Sequence, residues 1–398
     1  MKQPTPILFL GDSPSLTTGL SRILRDISTR TAAMPEFRVG VMGCGGQYSR
    51  YLPYPQYSFP QSAQWGERLL EEIWTDFAGA QRGILMTIWD ATRLTWIGMP
   101  QALPGGSLRD FLMSKPFQTW GYFPVDSHGP SGGLSSIGAS TVRGFDRVLA
   151  YSRFGAEVLS RSVGREVDWA PHGIDLSVFK PWSQEKGRAF LSQYGMRFFD
   201  GDVVLGVVAT NQARKDWGLV AQVCHNLQQH YGPRFKAWWH TDVLERSHAW
   251  DMRALIADFG LSQAVLVTAG QDWKDRDLAL AYSACNVTLA PGMEGFGYPI
   301  AESMACGIPV VTGDEHGGTE LVPWRGGRVA GHTSIKIEGI HNCLRTVHDF
   351  RTWTDGVLDL ANNPPPSSEI RSCVEHLAWD SLWSGVFKKW FLAGVPKL

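Results

Sequence analysis

Ala290-Pro291-Gly292-Met293-Glu294-Gly295-Phe296-Gly297-Tyr298-Pro299-Ile300-Ala301-Glu302 carries the densest chemistry in this 398-residue chain. A strand is expected to end near Ala290, a glycine-rich loop to follow, and a helix to open at Pro299, a favoured first-turn residue. That helix should stop before Gly307, with Pro309 beyond it and Val310-Val311 starting the next strand. Such a loop lies at the carboxyl end of a parallel strand, where open α/β sheets bind ligands. Gly295 and Gly297 let backbone N–H groups approach a ligand, and the helix N-terminus favours anions. Glu294 and Glu302 flank the loop with seven residues between them. Each can accept hydrogen bonds from sugar or ribose hydroxyls. An isolated pair of this kind would more simply be one helix-dipole partner and one solvated acid. Here the glycines, the proline and the spacing favour a site.

Working outward, short apolar runs alternate with helix-period segments along the whole chain. In the first half, strands are expected near 6–10, 38–42, 83–89, 119–124, 147–151 and 166–170. Leu20, Ile23, Leu24 and Ile27 form one face of a helix after the first strand. Leu69, Leu70, Ile73, Trp74 and Phe77 repeat that period before the third, and Phe154 to Leu159 can form a shorter helix. The second half restarts with Val203 to Val208, then strands near 235–240, 264–268, 286–290 and 309–312. Helices fit at 216–230, 250–258, 276–284 and 299–306. This alternation implies parallel sheets covered on both faces, in two Rossmann-like domains. Pro181 to Lys186 reads as the hinge, and Leu382, Trp383, Val386, Phe387, Trp390 and Phe391 mark an aromatic C-terminal helix. The expected division is 1–181, 182–375 and a C-terminal helix over 376–398.

Composition bounds the alternatives. The length exceeds one ordinary core, and 43% apolar with 19% charged residues is a globular composition. A formal charge of -1 offers no global reason to bind nucleic acid or anionic membrane. No apolar run approaches the ~18 residues of a spanning helix, and Ile7 to Leu10 is too short for a signal-peptide core. The six Cys lack metal-site spacing and read as thiols of a reducing compartment. A cytoplasmic protein is expected.

The segment 294–311, Glu-Gly-Phe-Gly-Tyr-Pro-x-x-Glu-Ser-Met-Ala-Cys-Gly-Ile-Pro-Val-Val, resembles the signature of glycosyltransferase family 4, retaining enzymes of the GT-B fold. Asn211-Gln212-x-Arg214-Lys215-Asp216 is similar to that family's basic diphosphate-binding loop. His172-Gly173-Ile174-Asp175 with Phe179-Lys180-Pro181 resembles its interdomain boundary. Thr17-Thr18-Gly19-Leu20 resembles its N-terminal glycine loop, and Gly317-Gly318-Thr319-Glu320-Leu321 the segment after the signature. Matches spread over roughly residues 7–325 and are denser in the second half.

The resemblance implies two Rossmann-like domains facing across a cleft, the C-terminal helix returning to the first. It implies transfer of a sugar from a UDP- or GDP-sugar to an unidentified hydroxyl acceptor, with retention and a front-face mechanism. The C-terminal domain would hold the nucleotide, with Glu302 on the ribose and Arg214 and Lys215 on the diphosphate. Glu294 and the backbone of Gly295, Phe296 and Gly297 would orient the sugar, with Tyr298, Thr319 and His240 beside the donor. Thr18 and Gly19 would approach the phosphates. His128 and Asp126, after the strand ending near Tyr122-Phe123, would face the transferred sugar, with Asp90 a further candidate. No cofactor or metal is implied. The residues agree with the basic loop's role: two cations at a strand's carboxyl end can neutralise a diphosphate leaving group. The acceptor stays open among glycan, lipid, small molecule, protein and hydroxylated nucleic-acid base.

Two other patterns point elsewhere. Asp275-Arg276-Asp277 has an Asp-x-Asp form used for metal–diphosphate binding, but it opens a helix, where acids favour the N-terminus. Gly43-Cys44-Gly45-Gly46 lacks the dinucleotide fingerprint, which argues against a nicotinamide enzyme. Thr18, Asn286 and Ser303 depart from the family pattern without removing a needed charge. The alternatives are a catalytically silent binding subunit of this fold, or a phosphorylase or epimerase on it. The 17 Trp include Trp89, Trp120 and Trp273 near strand ends, where packing is a simpler role than stacking on a sugar or base.

Overall fold

The computed structural model describes residues 3–63, 65–242, 249–271, 273–338 and 342–395. The chain forms two compact units. One comprises Met1–His172, Gly339–Cys343 and Asp380–Leu398, the other Gly173–Glu338 and Leu344–Trp379. Residues 396–398 of the expected C-terminal segment lie outside the described residues.

In the first unit, β1 (Thr5–Asp12), β2 (Phe37–Cys44), β3 (Gln56–Phe59), β4 (Gly83–Ile88), β5 (Phe117–Phe123), β6 (Arg147–Ala150) and β7 (Asp168–Trp169) make one parallel sheet. Its order is β3-β2-β1-β4-β5-β6-β7. Ile7, Leu8, Phe9 and Leu10 are all fully buried, as a strand covered on both faces requires. The helix Gly19–Ala32 buries Ile23, Leu24 and Ile27, its expected face. At the far end of the chain the aromatic helix is not continuous. A π-helical turn, Trp383–Phe387, separates Trp379–Leu382 from Lys388–Ala393. Phe391 packs on Phe9 and Phe37 with ring centroids 6.4 and 6.0 Å apart. Trp390 meets Trp120 edge-on at 5.1 Å, and the Arg147 guanidinium lies over both indoles. Trp120 therefore packs in a core. Trp89 does too, buried edge-on against Phe59 and Trp65.

In the second unit, β8 (Val203–Val208), β9 (Phe235–Thr241), β10 (Val265–Ala269), β11 (Val287–Ala290), β12 (Val310–Gly313) and β13 (Gly327–Ala330) are again all parallel. Their order is β10-β9-β8-β11-β12-β13. A separate two-stranded sheet pairs β14 (Ser334–Glu338) with β15 (Cys343–Val347). The core on one face gathers Trp217, Trp239 and Trp353, which accounts for more of the tryptophan excess.

Half of the expected hinge segment is helical. Ser183 caps a helix, Gln184–Ser192, by accepting from the Lys186 N–H, so Gln184 to Lys186 are helical. A Cβ on Gly187 would stand 2.5 Å from the Ala284 nitrogen, so this helix is packed tightly within the second unit. The change of unit falls earlier, at His172–Gly173. No helix among the described residues is long and apolar enough to cross a membrane.

Candidate functional site

The second sheet reverses its winding between β8 and β11, which are neighbours in space although three strands apart in order. Ligands of open α/β sheets bind at that crossover, outside the carboxyl ends of the strands. Arg214 and Lys215 lie in the 3₁₀ turn Ala213–Lys215 after β8, and Glu294 in the loop after β11. The turn is closed by Asp216, at φ +43°, whose carboxylate accepts from the Leu219 N–H at 3.1 Å and caps the helix Trp217–Tyr231.

Lys215 is 3% exposed, and its Nζ donates to Glu294 Oε1. Arg214 donates from its guanidinium to the Met293 carbonyl at 2.9 Å and to Gln212 Oε1 at 3.1 Å. Gly292, at φ +74°, makes this approach of loops possible. A Cβ there would stand 2.2 Å from the Arg214 carbonyl oxygen. Gly292→Ala is therefore expected to cost at least ~2 kcal/mol in a denaturant titration, through strain at positive φ and a backbone clash. An unchanged midpoint would contradict this packing.

Burial by itself would raise the Glu294 carboxyl. The charges of Lys215 and Arg214 and the Lys215 hydrogen bond outweigh burial and hold it below its ordinary value. Glu294 is thus an anion at neutral pH and an acceptor, not an acid. His316 follows β12 on the neighbouring loop, and burial pushes its pKa down to about 4. Its Nδ1 accepts from the Gly318 N–H at 3.0 Å, and the same N–H reaches the Glu294 carbonyl at 3.1 Å. Sequence reasoning missed His316. The only signal was its position directly before Gly317-Gly318, where a side chain can cap.

The remaining candidates of this unit fall around the same edge. Gly297, at φ +98°, precedes the helix Tyr298–Ala305, which Pro299 opens as expected. Glu302 on that helix is 3% exposed and accepts from the Tyr282 hydroxyl at 3.1 Å. Gly295 is buried, and buried Phe296 packs edge-on against half-buried Tyr298 at 5.5 Å. Thr319 donates to the Gly313 carbonyl at 3.0 Å, closing its own loop. His240 is the penultimate residue of β9, next to β8. Its Nδ1 lies 2.8 Å from Thr268 Oγ1, and Trp273 stacks on its ring at 4.7 Å. Burial pushes the His240 pKa down to about 4. Asp275 and Asp277 open the helix Asp275–Ser283, where Asp277 accepts from the Lys274 N–H.

The first unit holds the other candidates. Thr18 caps the helix that starts at Gly19, accepting from the Ser21 N–H at 3.1 Å. Its hydroxyl donates to Asp12 Oδ2 at 2.9 Å, while Asp12 Oδ1 accepts from Trp89 Nε1 at 2.8 Å. Asp12 thereby joins the loops after β1 and β4, where this sheet also reverses, and it went unread in the sequence. Asp126 and His128 follow β5 and are half-buried. His128 donates from Nδ1 to the Gly129 carbonyl at 2.8 Å, and Asp126 accepts from Ser127 at 3.3 Å. Asp90 pairs with Arg93 at 3.5 Å.

Residues 248–323 match the family described as "Glycosyl transferases group 1". Over 271 residues the chain is 27% identical to a D-inositol 3-phosphate glycosyltransferase of Acidothermus cellulolyticus, covering 65% of this chain and 56% of that protein. The chain thus spans little more than half the length of this curated relative. Among solved structures, the Anabaena protein HepE in complex with UDP and glucose superimposes with a TM-score of 0.72 at 15% identity, over 98% of this chain and 100% of that one. The sucrose-phosphate synthase of Thermosynechococcus elongatus gives 0.71 at 16% identity, with the same coverage.

The fold is GT-B.

Within this GT-B chain the family match spans Glu294, Glu302, His316 and Thr319, but not Arg214 and Lys215. The basic turn therefore rests on its geometry beside Glu294.

Proposed function

We propose that the chain is a retaining, metal-independent glycosyltransferase of family 4 that moves a sugar from a nucleotide-diphosphate donor to a hydroxyl acceptor. The observation that carries this reading is the meeting of Arg214, Lys215 and Glu294 at the crossover of the second sheet. Two cations set at strand ends can neutralise the charge that grows on a departing diphosphate, without reorganising as it forms. Glu294, kept anionic, would accept hydrogen bonds from the sugar, and Glu302 would serve the ribose. The N–H groups of Gly295 to Gly297, ahead of the helix at Tyr298, favour an anion. Thr18, Gly19, Asp126 and His128 would serve the phosphates and the transferred sugar from the first unit. With no second carboxylate placed as a nucleophile among the described residues, a donor phosphate oxygen would take the acceptor proton as the acceptor oxygen bonds the anomeric carbon and the bond to the departing diphosphate breaks on the same face. HepE with UDP and glucose favours UDP as the carrier.

A thermal-shift screen of nucleotide sugars, followed by hydrolysis of the best binder with and without EDTA, tests this. Stabilisation by one UDP- or GDP-sugar with EDTA-resistant turnover is expected, and NMR of the product would show the donor's anomeric configuration kept. Binding with strict metal dependence, or inversion, would remove the mechanism.

A further inference from the structure

We infer that His316 is a positioning residue of this site: its neutral ring holds the Gly317–Thr319 turn against the Glu294 loop, so that the diphosphate of the donor meets a fixed backbone. This rests on the transferase reading above.

The hydrogen bonds have one direction. The Gly318 N–H donates to His316 Nδ1 at 3.0 Å, so the ring's proton sits on Nε2. Nε2 lies 3.4 Å from Thr312 Oγ1, and the Thr312 hydroxyl donates to the Ala290 carbonyl at 3.2 Å. Ala290 is the last residue of β11, directly before the loop that carries Glu294. A single chain of polar groups thus runs from the turn after β12, through His316, to the root of the loop after β11. Every member is buried: Thr312 is fully so and His316 is 2% exposed. The Gly318 N–H, also within reach of the Glu294 carbonyl at 3.1 Å, joins the same two loops a second time.

Packing leaves little room for another arrangement. A Cβ on Gly318 would stand 2.9 Å from His316 Cε1 and 2.9 Å from Ile300 Cδ1. A Cβ on Gly297 would stand 3.5 Å from Gly318 Cα, an ordinary van der Waals distance, so the two glycine loops lie side by side. A ring proton on Nδ1 would point at the Gly318 N–H, two donors facing each other, and the turn would lose its anchor. Titratable groups bearing on the ring are Glu294, Lys215 and His348, the last itself pushed down by burial. Burial outweighs the carboxylate and keeps the ring neutral.

Asparagine at this position offers a carbonyl oxygen close to where Nδ1 stands, so it can keep the cap, whereas phenylalanine keeps a ring and no acceptor. The test compares wild type, His316→Asn and His316→Phe. It measures binding of UDP or GDP, whichever the wild type binds more tightly, and donor turnover. His316→Phe should weaken nucleotide binding and raise the KM for donor hydrolysis about tenfold or more, with kcat changed less than KM. His316→Asn should stay within about threefold of wild type on both. A purely structural role would lower the melting temperature of both variants without this split. Equal nucleotide binding in all three proteins, or an equal loss in both variants, would overturn the assignment. So would a wild type that binds neither nucleotide. If His316→Phe does not fold, Gly318→Ala, which crowds the same ring, is read for the same change in nucleotide affinity. A wild type that binds nucleotide but turns over no sugar would end the transferase reading, while the affinity comparison would still decide the role of His316.

Discussion

Lys215→Met is expected to lower donor turnover by about two orders of magnitude or more, the scale seen when a fixed electrostatic group at a developing charge is removed. It should also destabilise the fold by about 3 kcal/mol, because it strands the Glu294 carboxylate without its buried partner. The Lys215 side chain is 4% exposed and the Glu294 side chain 18%, so water can compensate only in part. Arg214 replaces the missing cation only in part, since its guanidinium is held by the Met293 carbonyl and Gln212 and makes no contact with the carboxylate of the strength that Lys215 makes. The double variant Lys215→Met with Glu294→Gln separates the two effects. It removes the stranded charge, so urea denaturation should recover much of the lost stability while turnover stays low. A single variant as active as wild type would sink the diphosphate role. A double variant no more stable than the single one would show that the pair is not the source of the loss.

The second half of the site was legible because its signals were local. Gly297, Pro299 and Glu302 sit within one loop and the first turns of one helix, so spacing alone orders them. Arg214-Lys215 could be placed because Val203 to Val208 is an unbroken apolar strand just before it. The convergence of Arg214, Lys215 and Glu294 was only implied, since spatial adjacency of β8 and β11 is a property of sheet order, not of either segment. His316 and Asp12 went unread for the same reason, because each acts by joining two loops. Among the elements, β3 and β13 are only four residues long, and Arg328 in β13 and Ser58 in β3 break any apolar run. The expected hinge, Pro181 to Lys186, takes in the opening of the helix Gln184–Ser192 because Gln184-Glu185-Lys186 is polar and lies just after a proline. The burial of that helix is carried by Gly187 and Leu191, a face too narrow for periodicity to show. The helix Phe350–Asn362, by contrast, buries Trp353, Thr354, Val357 and Leu360, a helical period carried by the sequence itself.

Acid should unfold this protein before it unfolds one whose histidines are exposed. Burial pushes His240 and His316 from 6.5 to about 4, and pushes His172 well below 6.5. Between those values the unfolded chain binds protons that the folded chain refuses. Stability is therefore fully present above about pH 6.5 and lost as pH falls toward 4, by on the order of 3 kcal/mol for each of His240 and His316. The depressed Glu294 carboxyl acts in the same direction at still lower pH, since its pairing with Lys215 is lost as it protonates. His332, raised by its 2.8 Å contact with Asp314, works the other way but is close to solvent and counts for less. Melting temperatures measured from pH 7 down to pH 4 should fall steadily. In His316→Asn the fall should be shallower by up to one proton's worth of slope, because the variant keeps the cap without a titrating ring. Equal slopes in the two proteins would mean that the His316 ring is not held neutral by the fold, and that the Gly318 N–H has no acceptor at Nδ1.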